Sequence, residues 1–366
     1  MANRAKNNTR PNITLAIAIS VLVFLGFLAL ATATTPASIK AGASPSYYLF
    51  HQVLYGLLPG LLLGFIAFKI PLRFYKEKGL IIFVIAFILM VAVFIPAFSK
   101  TEGGATRWLN LGYLSFQPSE FLKLATIIYL AAILSSNRPN KKKFVAFLFA
   151  LALIAVSLIL QSNLSTLVII SAVAGIVFFC ASTPWIYNIG VWAAGLLLFA
   201  VLALEPYRFK RISVFLNSAT DPLGIGYQLK QALIAIGSGG LIGSGLGFSS
   251  QKFGFLPEST SDSIFAIYAE ETGFIGCFFL IAAFVVFAAT AFFLARKVTD
   301  NFSKLVAIGI GSWISIQAFV NIGAMTGLLP LSGTPLPFIT YGSSHLVFEL
   351  IACGILLNIS ASAKDA

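Results

Sequence analysis

The residues best placed to do chemistry lie in one polar stretch between two apolar ones. Residues 205–262 carry Arg208, Lys210, Arg211, Lys230, Lys252, Glu258 and Asp262, and long apolar runs flank them. A membrane protein that places one large polar loop at a surface suits chemistry on a lipid-linked or periplasmic substrate. Asp262 is the last acidic residue before the next apolar run and could serve as a general base on such a ligand. An aspartate at that boundary can equally cap the following helix and lie against its dipole. A helix N-terminus lowers a carboxyl pKa and partial desolvation raises it, and the sequence leaves open which dominates.

Within the same stretch, glycines cluster between Gly224 and Gly247, which favours sharp turns and close backbone approach. A dinucleotide fingerprint after Gly237 and Gly239 would need glycine at 242, where Ile242 stands, and no GK[ST] loop is present, so no nucleotide site is supported. The segment Tyr227 to Ile236 is apolar with Gln228, Lys230 and Gln231 interleaved. It reads as a helix that either packs on the bundle or lies on the membrane.

Two further clusters carry polar groups next to apolar runs. Residues 103–124 contain GGATRWLNLG and FQPSEFLKL. Arg107 can grip a phosphate or snorkel at an interface. Glu120 and Lys123 share a helix face at i, i+3 and can contact a substrate or tie helices together. Residues 321–345, NIGAMTGLLPLSGTPLPFITYGSSH, read as a rigid re-entrant loop, which survives near lipid only when buried in protein or lining a cavity. Glu270 and Glu271 lie inside an apolar run, where carboxylates face a partner or a cavity.

These groups must be positioned by helices in a membrane. The chain has 366 residues, 58% of them hydrophobic and only 10% charged, against about a quarter charged in a soluble domain. Apolar runs long enough to cross about 30 Å of hydrocarbon recur along it. The expected fold is all-α: a polytopic integral membrane protein of about ten transmembrane helices with one large extracytoplasmic loop at 205–262. The expected spans are 12–32, 47–69, 79–97, 118–136, 144–161, 164–182, 185–204, 263–295, 304–327 and 344–362, the eighth long enough to begin outside the lipid. Basic residues of the short loops fall on one side, which places both termini, 1–11 and 363–366, in the cytoplasm. The apolar run from Ile13 to Ala31 exceeds a signal-peptide core and reads as an uncleaved first span. One integral domain covers 1–366.

The net charge of +12 follows the membrane topology and does not call for nucleic acid. Cys180, Cys277 and Cys353 lie far apart inside apolar spans and read as small core residues. Two histidines, His51 and His345, are too few for a histidine-based metal site.

Taken together, GATRWLNLG, FQPSEFLKL, DPLGIGYQL, GSGGLIGSGLG, QKFGFLPE and GLLPLSGTPLPFITYG, in this order over about residues 12–361, resemble the SEDS family (shape, elongation, division and sporulation), which includes FtsW, RodA and SpoVE. The run from Gly245 to Glu258 looks closer to the FtsW branch than to RodA. The resemblance implies an inverting peptidoglycan glycosyltransferase that polymerises lipid II at the outer face of the cytoplasmic membrane. It places the family's essential aspartate on Asp262 and its fourth-span pair on Glu120 and Lys123, beside the substrate cavity. Arg107, Arg208, Arg211, Lys230 and Lys252 are then candidates to neutralise the leaving pyrophosphate, with Gln228, Gln231 and Glu258 beside them. A divalent cation, Mg²⁺ or Mn²⁺, and a class B penicillin-binding transpeptidase as partner are further implications. The chain departs from the family pattern at Asn163, Ser165, Ser263, Ser343 and His345, which keeps a scaffold role in view, and its intramembrane charges keep a lipid II flippase in view.

Overall fold

The computed structural model describes residues 11–102, 105–110, 115–203, 211, 213–215, 221 and 224–363. It is built mainly of helices: α1 (Ile13–Ala33), α2 (Tyr47–Lys69), α3 (Leu72–Ala92), α4 (Pro118–Leu134), α5 (Asn140–Leu160), α6 (Leu164–Phe179), α7 (Trp185–Ala203), α8 (Ile225–Ser238), α9 (Ile264–Lys297), α10 (Asn301–Met325) and α11 (Ser343–Ser362). Among the described residues, α1, α2, α5, α9, α10 and α11 are the six helices long and apolar enough to cross a membrane. A helix also lies in each of the four other expected segments. There α6 and α7 are short as apolar helices, α3 opens on Arg73, Lys76, Glu77 and Lys78, and α4 carries Glu120 and Lys123.

Local sequence explains the helix ends. Asn12 caps α1 by accepting from Leu15 N at 3.2 Å, and Asp300 caps α10 by accepting from Ser303 N at 3.0 Å. Pro118 occupies the first turn of α4, where its missing N–H costs nothing. The inner helices α4 and α10 are largely buried, whereas α2 turns Leu58, Leu62 and Phe65 outward.

Two features correct the all-α expectation. Residues Ser99–Glu102, Ala105–Asn110 and Ser115–Phe116 form a three-stranded antiparallel sheet, β1-β2-β3, in the connection before α4. Thr106 and Trp108 alternate along β2, as suits a pleated surface. The second feature is a break in α9: Gly273 has φ 66° and ψ −166°, so the helix is two pieces joined at a sharp turn.

The break is filled by the glycine-rich loop after α8. Freed carbonyls of Glu270 and Glu271 accept from Ser244 N and Gly245 N at 2.9 and 3.1 Å. Freed N–H groups of Phe274 and Ile275 donate to Gly240 O and Leu241 O at 2.9 and 3.1 Å. Unpaired backbone near lipid costs several kcal/mol per group, so the loop is what makes the break tolerable. Side chains tie the loop to the first piece of α9 as well. Glu270 accepts from Ser249 Oγ and from Ser250 N and Oγ, and Lys252 pairs with Glu271 at 2.8 Å.

Candidate active site

Asp262 sits at the end of the segment that leads into α9, and its backbone is gripped from two sides. The Asn321 amide, on α10, donates to Asp262 O at 2.8 Å and to Thr334 O at 2.7 Å. The loop before α11 supplies the other clamp: Thr340 Oγ1 donates to Ser261 O at 3.3 Å and Tyr341 N to Thr260 O at 3.2 Å. Glu258, in left-handed conformation at φ 52°, turns the chain so that its carbonyl accepts from Ser261 N and Ser263 N. The carboxylate lies against Gly333, where an added Cβ would stand 3.2 Å from Asp262 Oδ2.

The helix-cap role is not realised. Ser263 is the N-cap of α9 and makes no side-chain cap bond, and the Asp262 carboxylate accepts no hydrogen bond among the described residues. Burial raises its pKa first, Glu258 adds to the rise, and Arg211 and then Arg107 oppose it, leaving the group pushed up to about 6. A base with that pKa is poised for proton transfer near neutral pH.

The two arginines come from distant elements. Arg107, on β2, donates to Gln161 O at 3.2 Å and Ser162 O at 2.5 Å, at the turn between α5 and α6. Arg211 donates to Leu331 O at 2.8 Å. Both charges act on Asp262 and oppose the rise in its pKa, Arg211 more than Arg107.

The remaining expected residues fall in three groups. Arg208 lies outside the described residues. Gln228 donates to Ser263 Oγ at 3.0 Å, next to Asp262, while Lys230 is exposed and Gln231 half-buried on α8. Glu258 accepts from Ser261 Oγ and acts on Asp262 through its charge. Lys252 is a correction. Its ammonium is buried against Glu271 and donates to Gly247 O at 2.7 Å, because the broken α9 brings a carboxylate to it; it holds the loop and does not face a substrate.

Glu120 and Lys123 form a buried pair at 2.9 Å in α4. Lys123 also donates to Gln317 Oε1 at 2.8 Å, which accepts from Trp313 Nε1, and Gln317 Nε2 donates to Pro335 O. The pair thus ties α4 to α10 and to the loop beside Asp262. The cavity next to Lys123 and Trp313 measures about 10 Å³, room for one water and not for a sugar. Lys123→Met leaves Glu120 charged and alone, and should destabilise the protein by about 3–5 kcal/mol. Thermal unfolding in detergent checks this, and adding Glu120→Gln should recover most of the loss.

Asn321, Thr340 and Gly333 were assigned no role by sequence reasoning. Their signal was present, since Asn321 is an amide inside an apolar helix and Gly333 and Thr340 lie in the proline-rich cluster. What one chain could not reveal is that α10 and this loop converge on residue 262.

A Mg²⁺ or Mn²⁺ ion finds no ready ligand set. Among the described residues no three of His, Cys, Asp and Glu come together. The positive charges of Arg211 and Arg107 already act on the Asp262 carboxylate and would oppose a cation there.

Residues 13–365 match the family described as "Cell cycle protein", FtsW/RodA/SpoVE. The chain belongs to this family. It is 35% identical over 354 residues to "Probable peptidoglycan glycosyltransferase FtsW" of Coxiella burnetii, covering 94% of each chain. It is 36% identical over 361 residues to "Stage V sporulation protein E" of Bacillus subtilis, covering 97% of this chain and 98% of that one. In fold it resembles a chain from a study of "polymerization and crosslinking by a peptidoglycan synthase complex", with TM-score 0.79, 24% identity and coverage of 97% and 99%. It also resembles the rod shape determining protein RodA of Thermus thermophilus, with TM-score 0.71, 23% identity and coverage of 97% and 98%. The FtsW/RodA/SpoVE fold is therefore present throughout, as a multi-pass helical membrane protein.

Where this family member departs from the pattern, Asn163, Ser165, Ser263 and His345 are hydrogen-bonded, while Ser343 Oγ is buried with no hydrogen-bond partner among the described residues. Asn163 donates to Ser119 Oγ at 3.3 Å, Ser165 Oγ to Ser332 O, and the His345 ring pairs with Thr340 O at 2.7 Å. Ser263 Oγ receives the Gln228 bond.

Proposed function

We propose that this chain is a peptidoglycan glycosyltransferase that polymerises lipid II into β-1,4 glycan strands for septal wall synthesis in division. The observation that carries the reading is the half-buried Asp262 carboxylate at the end of a membrane bundle, held by its backbone, raised in pKa by burial and acted on by the charges of Arg211 and Arg107. Relatives named as FtsW peptidoglycan glycosyltransferases, matched over nearly the whole chain, support it.

In this mechanism the acceptor sugar's 4-hydroxyl attacks the anomeric carbon of the donor. Asp262 takes the hydroxyl proton as the new C–O bond forms. The bond from the anomeric carbon to the pyrophosphate oxygen breaks, and that oxygen leaves with the electron pair. Attack opposite the leaving group turns an α-linked donor into a β product. Arg107 and Arg211 face the charge that develops on the pyrophosphate. No step is routed through a metal ion; a cation associated with the reaction would be carried by the pyrophosphate.

The setting is the outer face of the cytoplasmic membrane, with ten spans and both termini in the cytoplasm. That orientation follows from the basic short loops and gives Asp262 access to a lipid-linked substrate. A class B penicillin-binding protein is the partner this reading calls for. Transport of lipid II is disfavoured, because Glu120 and Glu271 are paired with Lys123 and Lys252, Glu270 and Glu349 are hydrogen-bonded within the protein, and the cavity beside Lys123 measures only about 10 Å³. A scaffold role is disfavoured because Asp262 is retained with its backbone held by Asn321.

The deciding experiment supplies fluorescent lipid II to the purified chain reconstituted with its cognate transpeptidase and resolves products by gel. Glycan strands are the expected result. Their absence from a folded complex would overturn the reading in favour of a scaffold, or of a flippase if lipid II crosses the bilayer.

A further inference from the structure

The stretch 205–262 reads in the sequence as a polar outer loop, yet its glycine-rich part turns apolar side chains outward. Leu241, Ile242 and Phe248 are 72%, 79% and 77% exposed, and Leu246, Phe253 and Phe255 are exposed as well. Lys252 is the single charged residue between 239 and 255, and it is buried against Glu271. Such a surface is costly in water and is unpartnered in this chain.

The break in α9 fixes the depth of this surface. Phe274 N bonds Gly240 O and Ile275 N bonds Leu241 O, so the loop lies beside the first residues after the break. From Phe274 to Arg296 the second piece of α9 runs about 35 Å at 1.5 Å per residue, slightly more than the ~30 Å of hydrocarbon. Phe274 therefore lies at the outer boundary of the lipid. Phe274, Phe278 and Phe279 are all exposed and form the lipid-facing flank of that helix. Leu241 and Ile242 continue the same flank at the same depth, and the backbone beside them is already paired with α9.

We infer that residues 240–255 form a lip seated in the outer leaflet of the bilayer, with Leu241, Ile242 and Phe248 among the acyl chains. The occupant of this apolar surface is lipid, because the surface is continuous with the lipid-facing side of α9, and the loop exposes no charge to be desolvated. The lip leads directly into Pro257–Ser261, so it holds the segment carrying Asp262 at the membrane surface, where a lipid-linked pyrophosphate lies.

The test attaches nitroxide labels at Ile242→Cys and Phe248→Cys in a chain with Cys180, Cys277 and Cys353 replaced by Ala. The protein is reconstituted in phosphatidylcholine–phosphatidylglycerol vesicles, with Phe278→Cys as lipid reference and Lys141→Cys as water reference. The ratio of accessibility to oxygen over a nickel chelate is expected within about twofold of position 278 and at least about fivefold above position 141. A ratio like that of position 141 would overturn the lip. Shielding from both reagents would also overturn it, pointing to a protein occupant such as a second copy. If the cysteine-free chain misfolds, carbene labelling of the wild type by a lipid-soluble reagent gives the same answer: labelled 241–248 peptides support the lip and unlabelled ones overturn it. Neither readout depends on glycosyl transfer, so this inference and the proposed activity fail separately.

Discussion

Asp262→Asn is expected to lower the rate of glycan polymerisation by about 10²–10⁴-fold, the usual worth of a general base, while the protein stays folded. Folding survives because what surrounds residue 262 grips its backbone. Asn321 and the neighbouring Thr340 and Tyr341 bonds all go to main-chain oxygens, which asparagine keeps. The amide also keeps the shape of the carboxylate and loses only its basicity. Wild-type activity should fall below about pH 6, roughly tenfold per unit, as the carboxylate is protonated. The neighbours set the direction of further shifts. Arg211→Ala removes a cation that lowers the pKa, so the acid limb moves to higher pH; Glu258→Gln removes an anion that raises it, and the limb moves lower. Initial rates on lipid II between about pH 5 and 8 check both signs, and a profile unmoved by either variant would remove Asp262 as the titrating base.

Gly243→Ala should be the most damaging single methyl addition in the chain outside the site. Gly243 has φ +79°, and a Cβ there would stand 2.1 Å from Glu271 O, with Thr272 C close behind. The obstacle is backbone, so no side chain can rotate away. Left-handed alanine adds about 1–2 kcal/mol of its own. The loop must then withdraw from the break in α9, leaving the Glu270 and Glu271 carbonyls and the Phe274 and Ile275 N–H groups unpaired near lipid, at several kcal/mol for each group that stays dry. A fall in thermal stability, faster hydrogen exchange across 270–275 and loss of polymer formation are expected together. Gly247→Ala is the control. Its φ of +86° carries similar strain, but nothing lies within 4 Å, so only a mild effect should follow. Equal damage from both variants would show that strain, not the clash, governs the loop.

Much of the fold was legible because membrane helices announce themselves by composition. A helix stands in each expected apolar segment, and the sheet before α4 was missed because three short strands leave no long periodic pattern. The long eighth segment was legible as length alone. That it breaks at Gly273, and that the glycines after α8 exist to fill the break, depends on residues about thirty positions apart meeting through backbone hydrogen bonds.

The site divides in the same way. Sequence alone determined the membrane character and the family motifs, because residue type, local spacing and hydropathy are properties of the chain itself; Asp262 became the candidate base only through the resemblance those motifs carry. Tertiary structure decided which basic residues act on that carboxylate. The charges of Arg211 and Arg107 lower its pKa, whereas Lys252 is paired with Glu271. It also decided that Asp262 is raised in pKa instead of capping a helix, since burial and the sum of neighbouring charges set that balance. Those are sums over distance in space, and distance in space is what a sequence does not contain.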